Sequence, residues 1–137
     1  MSKWLTRMLI ISLSLLGLAA CTSAPLKPAA PMDVPPGLTQ TQIKTSIVDA
    51  LNGRGWTVDE IKDGSIRSTL HLREHTATIR ITFDQAQVRM AYVSSTNLDY
   101  GDRHGRQTIH RNYNGWIMYL EQDISRNLQN FNAIHGG

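Results

Sequence analysis

Cysteine is all but missing from this 137-residue chain. Cys21 stands alone, so no intramolecular disulfide can form and any fold must hold without covalent staples. Long hydrophobic runs are missing too. The apolar stretch from Met8 to Leu18 covers about eleven residues, short of the ~20 that a membrane-spanning helix needs. Charge of either sign is scarce: 14 Lys and Arg face 11 Asp and Glu, for a net charge of +3. Lys3 and Arg7 supply two of those cations, and beyond residue 20 the balance is 12 to 11. A nearly neutral domain offers no electrostatic case for nucleic acid. Proline is absent after Pro36. The chain carries no phosphate-binding glycine loop, no pair of carboxylates placed for acid–base work and no internal repeat. Ser94-Ser95 lacks the strand-turn-helix surroundings of a nucleophile elbow. The part able to fold is under 100 residues, which suits one small domain with a modest core.

What is present begins at the N-terminus. Lys3 and Arg7 form a charged leader, Met8 to Leu18 an apolar stretch, and Leu18-Ala19-Ala20-Cys21 a box of small residues ahead of the lone cysteine. This order predicts a signal peptide over residues 1–20, cleaved before Cys21. An unpaired cysteine in an exported protein needs a role, and a thioether-linked diacylglycerol gives it one. The alternative is an ordinary secretory signal with an incidental cysteine. The box resembles that of bacterial lipoproteins. That resemblance implies lipidation of Cys21, with palmitate among the acyl groups. Thr22 stands where an aspartate would be associated with inner-membrane retention, which implies an outer-membrane location facing the periplasm.

Residues 22–37 hold all five prolines and few large apolar side chains. With Cys21 they are expected to form an extended tether of polyproline II character, reaching on the order of 50 Å at ~3.1 Å per residue. The domain is then expected over 38–132, with a frayed tail over 133–137. Thr39 and Gln42 have the spacing of a capping box, with Leu38 and Ile43 as its hydrophobic staple. Ile43, Ile47, Ala50 and Leu51 mark a helical face that Asn52-Gly53 ends. Four strands follow. The first covers Trp56 to Ile61, and Asp63-Gly64 marks the turn after it. The second covers Ser65 to Arg73, with Ile66, Leu70 and Leu72 inward. The third covers Thr76 to Phe83, with Ala77, Ile79, Ile81 and Phe83 inward. The fourth covers Gln87 to Ser95, with Val88, Met90 and Tyr92 together. Residues 96–107 are polar and predict a loop. Ile109, Tyr113, Trp116, Ile117, Leu120, Ile124, Leu128 and Phe131 then predict a long helix starting between Thr108 and Asn112. The order α-β-β-β-β-α predicts an α+β two-layer sandwich: a four-stranded antiparallel meander with the N- and C-terminal helices on one face.

Three groups of residues are candidates for function. His71-Leu72-Arg73-Glu74-His75 fits the inverted zinc-protease motif, but that chemistry needs one helical face, and here the motif interrupts two alternating strands. Its metal-dependent hydrolase reading, with His71 and His75 as ligands, is the alternative to a non-enzymatic protein without metal or cofactor. Arg67, Arg73, Arg80 and Arg89 fall on the outward side of the sheet among threonines. That face is either an anion-binding surface or a solvated one built for β-propensity. Tyr92, Asn97, Tyr100 and His110 gather aromatic area and polar tips at one end of the sheet, beside the 96–107 loop, where binding functions concentrate.

The Asp63-Gly64 hairpin with the closing Ile109–Trp116 segment resembles a family of small proteobacterial lipoproteins. The resemblance covers most of residues 38–130 and brings no activity and no functional residues with it. The element order is also similar to the α+β domains of envelope-assembly lipoproteins, an analogy of fold alone. Together these imply a non-enzymatic, lipid-anchored accessory or binding subunit of the cell envelope. Its expected partners are the membrane, through the lipid on Cys21, and either an envelope protein or an anionic envelope polymer; the domain itself is expected to be monomeric.

Overall fold

The computed structural model describes residues 22–135. The expected signal peptide over residues 1–20, the expected lipidation site at Cys21 and residues 136–137 lie outside them. Over the described residues the protein is α+β, with two helices and two antiparallel sheets. In chain order the elements are β1 (Ser23–Pro25), β2 (Met32–Asp33), α1 (Gln40–Gly53), β3 (Trp56–Lys62), β4 (Ser65–Leu72), β5 (His75–Phe83), β6 (Gln87–Thr96), β7 (Gly101–Arg103), β8 (Arg106–His110) and α2 (Asn112–His135).

The capping box of α1 forms. Thr39 Oγ1 accepts the Gln42 N–H at 3.2 Å, and Gln42 Oε1 accepts the Thr39 N–H at 2.9 Å. Leu38 and Ile43 are both buried beside it. The helix runs through Gly53, and the left-handed residue after it is Gly55 at φ +77°. At Asp63-Gly64 the turn takes φ +69° on the glycine, and the Gly64 carbonyl accepts the Phe83 N–H at 2.9 Å.

Strands β3 to β6 follow one another as a meander, but the sheet has five strands, in the order β2-β6-β5-β4-β3. The fifth comes from the expected tether. Met32 pairs with Val88, and the Val34 N–H donates to the Ala86 carbonyl. Earlier in the same segment, Ser23, Ala24 and Pro25 pair with His110, Ile109 and Thr108. Residues 22–37 are therefore part of the fold and not a tether ahead of Leu38. Proline composition misled here for a definable reason. β1 and β2 are edge strands, where a missing N–H costs no ladder bond, and Met32, Val34 and Leu38 bury apolar area that a tether would leave in water.

The expected 96–107 loop is mostly a hairpin. β7 pairs with β8, and His104 and Gly105 take φ +56° and +78° in a two-residue turn, the left-handed pair that suits a tight hairpin. Asp102 Oδ1 accepts the Gly105 N–H at 2.8 Å. Ile109 consequently lies in β8, fully buried, and not in the closing helix. α2 starts at Asn112, whose N–H is accepted by His110 Nδ1 at 3.2 Å. Its last turn carries Ala133 to His135, residues expected to fray.

One core unites these parts. Ile43, Ile47 and Leu51 of α1 and Leu120, Ile124 and Leu128 of α2 are fully buried in one cluster with Ile66, Ile79, Ile81 and Val88 of the sheet. Leu72, expected inward, is 45% exposed, and Ser68 takes an inward place instead, donating to the Thr57 carbonyl at 2.7 Å. The two helices are also joined by charge. Arg54, just after α1, meets Asp123 of α2 through Nε at 2.6 Å and Nη2 at 3.3 Å, while Arg126 Nη2 reaches the same carboxylate at 2.6 Å. The hydrogen bond from Arg54 holds the Asp123 carboxyl below its usual range, with the charges of Arg54 and Arg126 adding to it.

Two predictions follow from these contacts. A Cβ on Gly64 would sit 3.1 Å from the Phe83 carbonyl oxygen, on a backbone at positive φ. Gly64→Ala is expected to cost about 1–2 kcal/mol, visible as a lower midpoint in chemical denaturation. Asp123→Asn is expected to cost about 1–3 kcal/mol at neutral pH. Because the Asp123 pKa is depressed in the fold, its contribution is present above the unfolded carboxylate value of about 3.9 and is lost as pH falls below it. The melting-temperature gap between wild type and variant should narrow on going from pH 7 to pH 3. An unchanged gap would show that the ion pair is not its source.

Candidate binding cleft between the two sheets

The expected sheet-end site divides in two. Tyr92 and Tyr100 come together. Their rings stack with centroids 4.4 Å apart and planes 23° from parallel, and the Tyr113 ring meets Tyr92 edge-on at 5.7 Å. A β-bulge sets this geometry. Thr78 pairs with Ser94 and Ile79 with Tyr92, so Val93 is the extra residue on β6. One inserted residue flips the alternation beyond it. Tyr92 and Ser95 then share a side of the strand, and their hydroxyls lie 2.8 Å apart. Burial pushes the Tyr92 phenol up, as does the nearby Tyr100, against the Ser95 hydrogen bond. Burial pushes Tyr113 up further. Both phenols are neutral, protonated groups at physiological pH.

These rings line a cleft of about 660 Å³. Its walls are β6 from Met90 to Ser95, the stretch Leu26 to Ala29 that follows β1, Tyr100 and Gln107 at the three-stranded sheet, and Tyr113 and Ile117 of α2. Among the described residues Lys27 is the one charged side chain in the lining, and no histidine, carboxylate or cysteine is in it. The Leu26–Ala29 wall is held in place at its N-terminal end. The Leu26 N–H donates to the Gln107 carbonyl at 2.9 Å, and the Asn114 side chain accepts from the Lys27 N–H and donates to the Pro25 carbonyl.

Asn97 and His110 do not join the cleft. Asn97 is a turn residue at φ +56°. Its Nδ2 donates to the Glu74 carbonyl and its own carbonyl accepts from His75 Nδ1, both at 2.7 Å. It thus ties the β4–β5 turn to the end of β6. His110 lies in β8 and borders a smaller cavity of about 220 Å³ with Leu72, Arg73, His75, Leu98, Asn112 and Trp116.

The basic residues are split as well. Arg67 and Arg80 are direct cross-strand neighbours, and Arg89 lies one row on, opposite Thr82. Arg73 leaves the face. It occupies the β4–β5 turn at φ +56°. Glu60 pairs across from Arg67, and its carboxyl is held below the usual range by the Lys62 hydrogen bond first, with Arg80 and Arg67 adding charge. Arg80 donates to Ser65 Oγ at 3.1 Å and Arg89 to Gln87 Oε1 at 2.6 Å.

The histidine motif runs strand-turn-strand. His71 stands opposite Thr76 and His75 opposite Leu72, on either side of the turn, so they share no helical face. Among the described residues no group of three or more His, Cys, Asp or Glu is placed to hold a metal ion. Sequence reasoning missed Leu26, Lys27, Ala29, Gln107 and Ile117 as cleft residues. No local signal marks them, since they meet only through pairings some eighty positions apart. Compared with known proteins, the chain matches no family model, no curated protein and no solved structure.

Asn97→Ala is expected to cost about 1–2 kcal/mol, from the lost bond to Glu74 and the strained φ, while leaving the Tyr92–Tyr100 stack intact. Thermal unfolding measures the first, and ring-current shifts of the tyrosine resonances measure the second.

Proposed function

We propose that the protein is a non-enzymatic binding or accessory subunit of the bacterial envelope, anchored to the outer membrane by a lipid on Cys21 and facing the periplasm. The observation that carries the binding half is the cleft. It is concave, it combines stacked aromatic rings with hydroxyls and one cation, and its volume lies in the range of ligand sites. Among the described residues its polar lining consists of hydroxyls, the Gln107 amide and the Lys27 ammonium, groups suited to hydrogen bonding a ligand. The anchoring half rests on Lys3, Arg7, the apolar stretch and the Leu18–Cys21 box.

The two halves meet at β1. The Thr22 carbonyl accepts the Arg111 N–H at 2.8 Å, and β1 begins at the next residue. A lipid on Cys21 therefore leaves no long spacer. The β1–β8 end of the domain is held close to the bilayer surface, and the domain is restricted in orientation. The arginine face of the five-stranded sheet suits a weaker contact with anionic envelope polymers, one that salt would screen.

Anchoring is tested on Cys21→Ser in the native host. Radiolabelled palmitate should no longer enter the protein, and the unprocessed precursor should accumulate. A variant that is processed and located as the wild type would refute the anchor. Binding is tested by capture of partners with the lipidated protein. Tyr100→Ala should abolish capture without loss of fold, whereas Arg67→Ala with Arg89→Ala should weaken it only at low salt; the opposite pattern would move the site to the arginine face.

A further inference from the structure

Six consecutive residues of β6, from Met90 to Ser95, line the cleft. Side chains on a strand alternate between faces, so a cleft lying over one face would be lined by every second residue. Contact with all six means that the cleft meets β6 edge-on. The topology agrees. β5 pairs with β6 over nearly its whole length, but on its other side β6 has only β2, which covers Gln87 and Val88. Beyond Val88 that edge has no partner strand among the described residues.

The phase of the ladder says which groups the edge presents. The Val34 N–H bonds the Ala86 carbonyl, and antiparallel pairing repeats every second residue. Main-chain groups of Val88, Met90 and Tyr92 therefore aim to the β2 side, and those of Arg89 and Ala91 aim at β5. Met90 and Tyr92 thus turn main-chain donors and acceptors into the cleft.

Resting on the binding reading above, we infer that this cleft takes an extended peptide segment of a partner protein as an added strand along β6, continuing the edge that β2 starts. Met90 to Ser95 span about 17 Å at ~3.3 Å per residue, room for a segment of five or six residues. β2 itself is the precedent, a short stretch of extended chain already docked on this edge. Main-chain bonds to Met90 and Tyr92 supply sequence-tolerant affinity, and alternate side chains meet the tyrosine rings. With Lys27 as the one charge among the described lining residues, the segment is mainly apolar or aromatic, with an acidic side chain or a terminal carboxylate near Lys27. A second copy of this chain fits poorly, because the Leu26–Ala29 wall and Tyr100 flank the edge and admit a single strand more readily than a sheet.

The test uses the full chain purified in detergent and a displayed library of random twelve-residue peptides. An enriched peptide is synthesised with N-methyl groups placed one at a time along its backbone. In the free protein the Met90 and Tyr92 amides should exchange with solvent quickly and the Ala91 amide slowly. Peptide should slow Met90 and Tyr92 by tenfold or more, and N-methylation should abolish binding at alternate positions and be tolerated between them. Failure to enrich any peptide overturns the inference. So does equal tolerance of N-methyl groups in both registers, or protection at the Met90 and Tyr92 amides that rises with protein concentration alone. If partners are captured through Tyr100 but enriched peptide fails to compete, strand addition fails while the binding role stands.

Discussion

The structure depends on the pairing of residues 23–33 with strands that lie far later in the chain. β1 lies against β8, and β2 against the start of β6. Without the first pairing, β7 and β8 would be an isolated hairpin, which is marginal in water. With it, they form a three-stranded sheet whose Ile109 reaches the common core. The second pairing buries Met32 and carries the chain to the buried Val34 and Leu38 that lead into α1. The stretch between the two, Leu26 to Ala29, becomes a wall of the cleft. The same contacts that complete the fold thus build the candidate site.

Much of the central domain was legible in the sequence because its signals are local. The capping box at Thr39 and Gln42 needs only three residues of spacing, and Asp63-Gly64 declares its own turn. Alternation in Thr76 to Phe83 marked the buried side of β5, where Ala77, Ile79, Ile81 and Phe83 are all buried. What stayed hidden is non-local. Nothing near Ser23 says that it will face His110, and proline-rich composition argued for a free segment. The β7–β8 turn was missed because His104 sits where Asn or Asp is the recognised signal. Ile109 was assigned to the helix because its spacing to Tyr113 suits a helical turn, although it is a strand residue.

The site was legible only in part, for the same reason. Of the four residues grouped at one sheet end, Tyr92 and Tyr100 stack against each other. Asn97 and His110 share that neighbourhood in sequence, yet each is occupied by main-chain bonds that hold turns together. The bulge at Val93 is what brings Tyr92 and Ser95 to one side, and a simple alternation would have set them apart. Arg73 illustrates the limit of strand patterning at a strand end: one residue past the ladder, a side chain belongs to the turn and not to the face.

The central claim is that residues 22–37 belong to the fold and are not a tether. Site-resolved hydrogen exchange of the Leu26 and Val34 amides measures this most directly, because each donates to a carbonyl in a distant strand, Gln107 and Ala86 respectively. The account predicts that both exchange orders of magnitude more slowly than in a free peptide of the same sequence. Exchange of both at the free-peptide rate would contradict it, and the cleft would lose its wall.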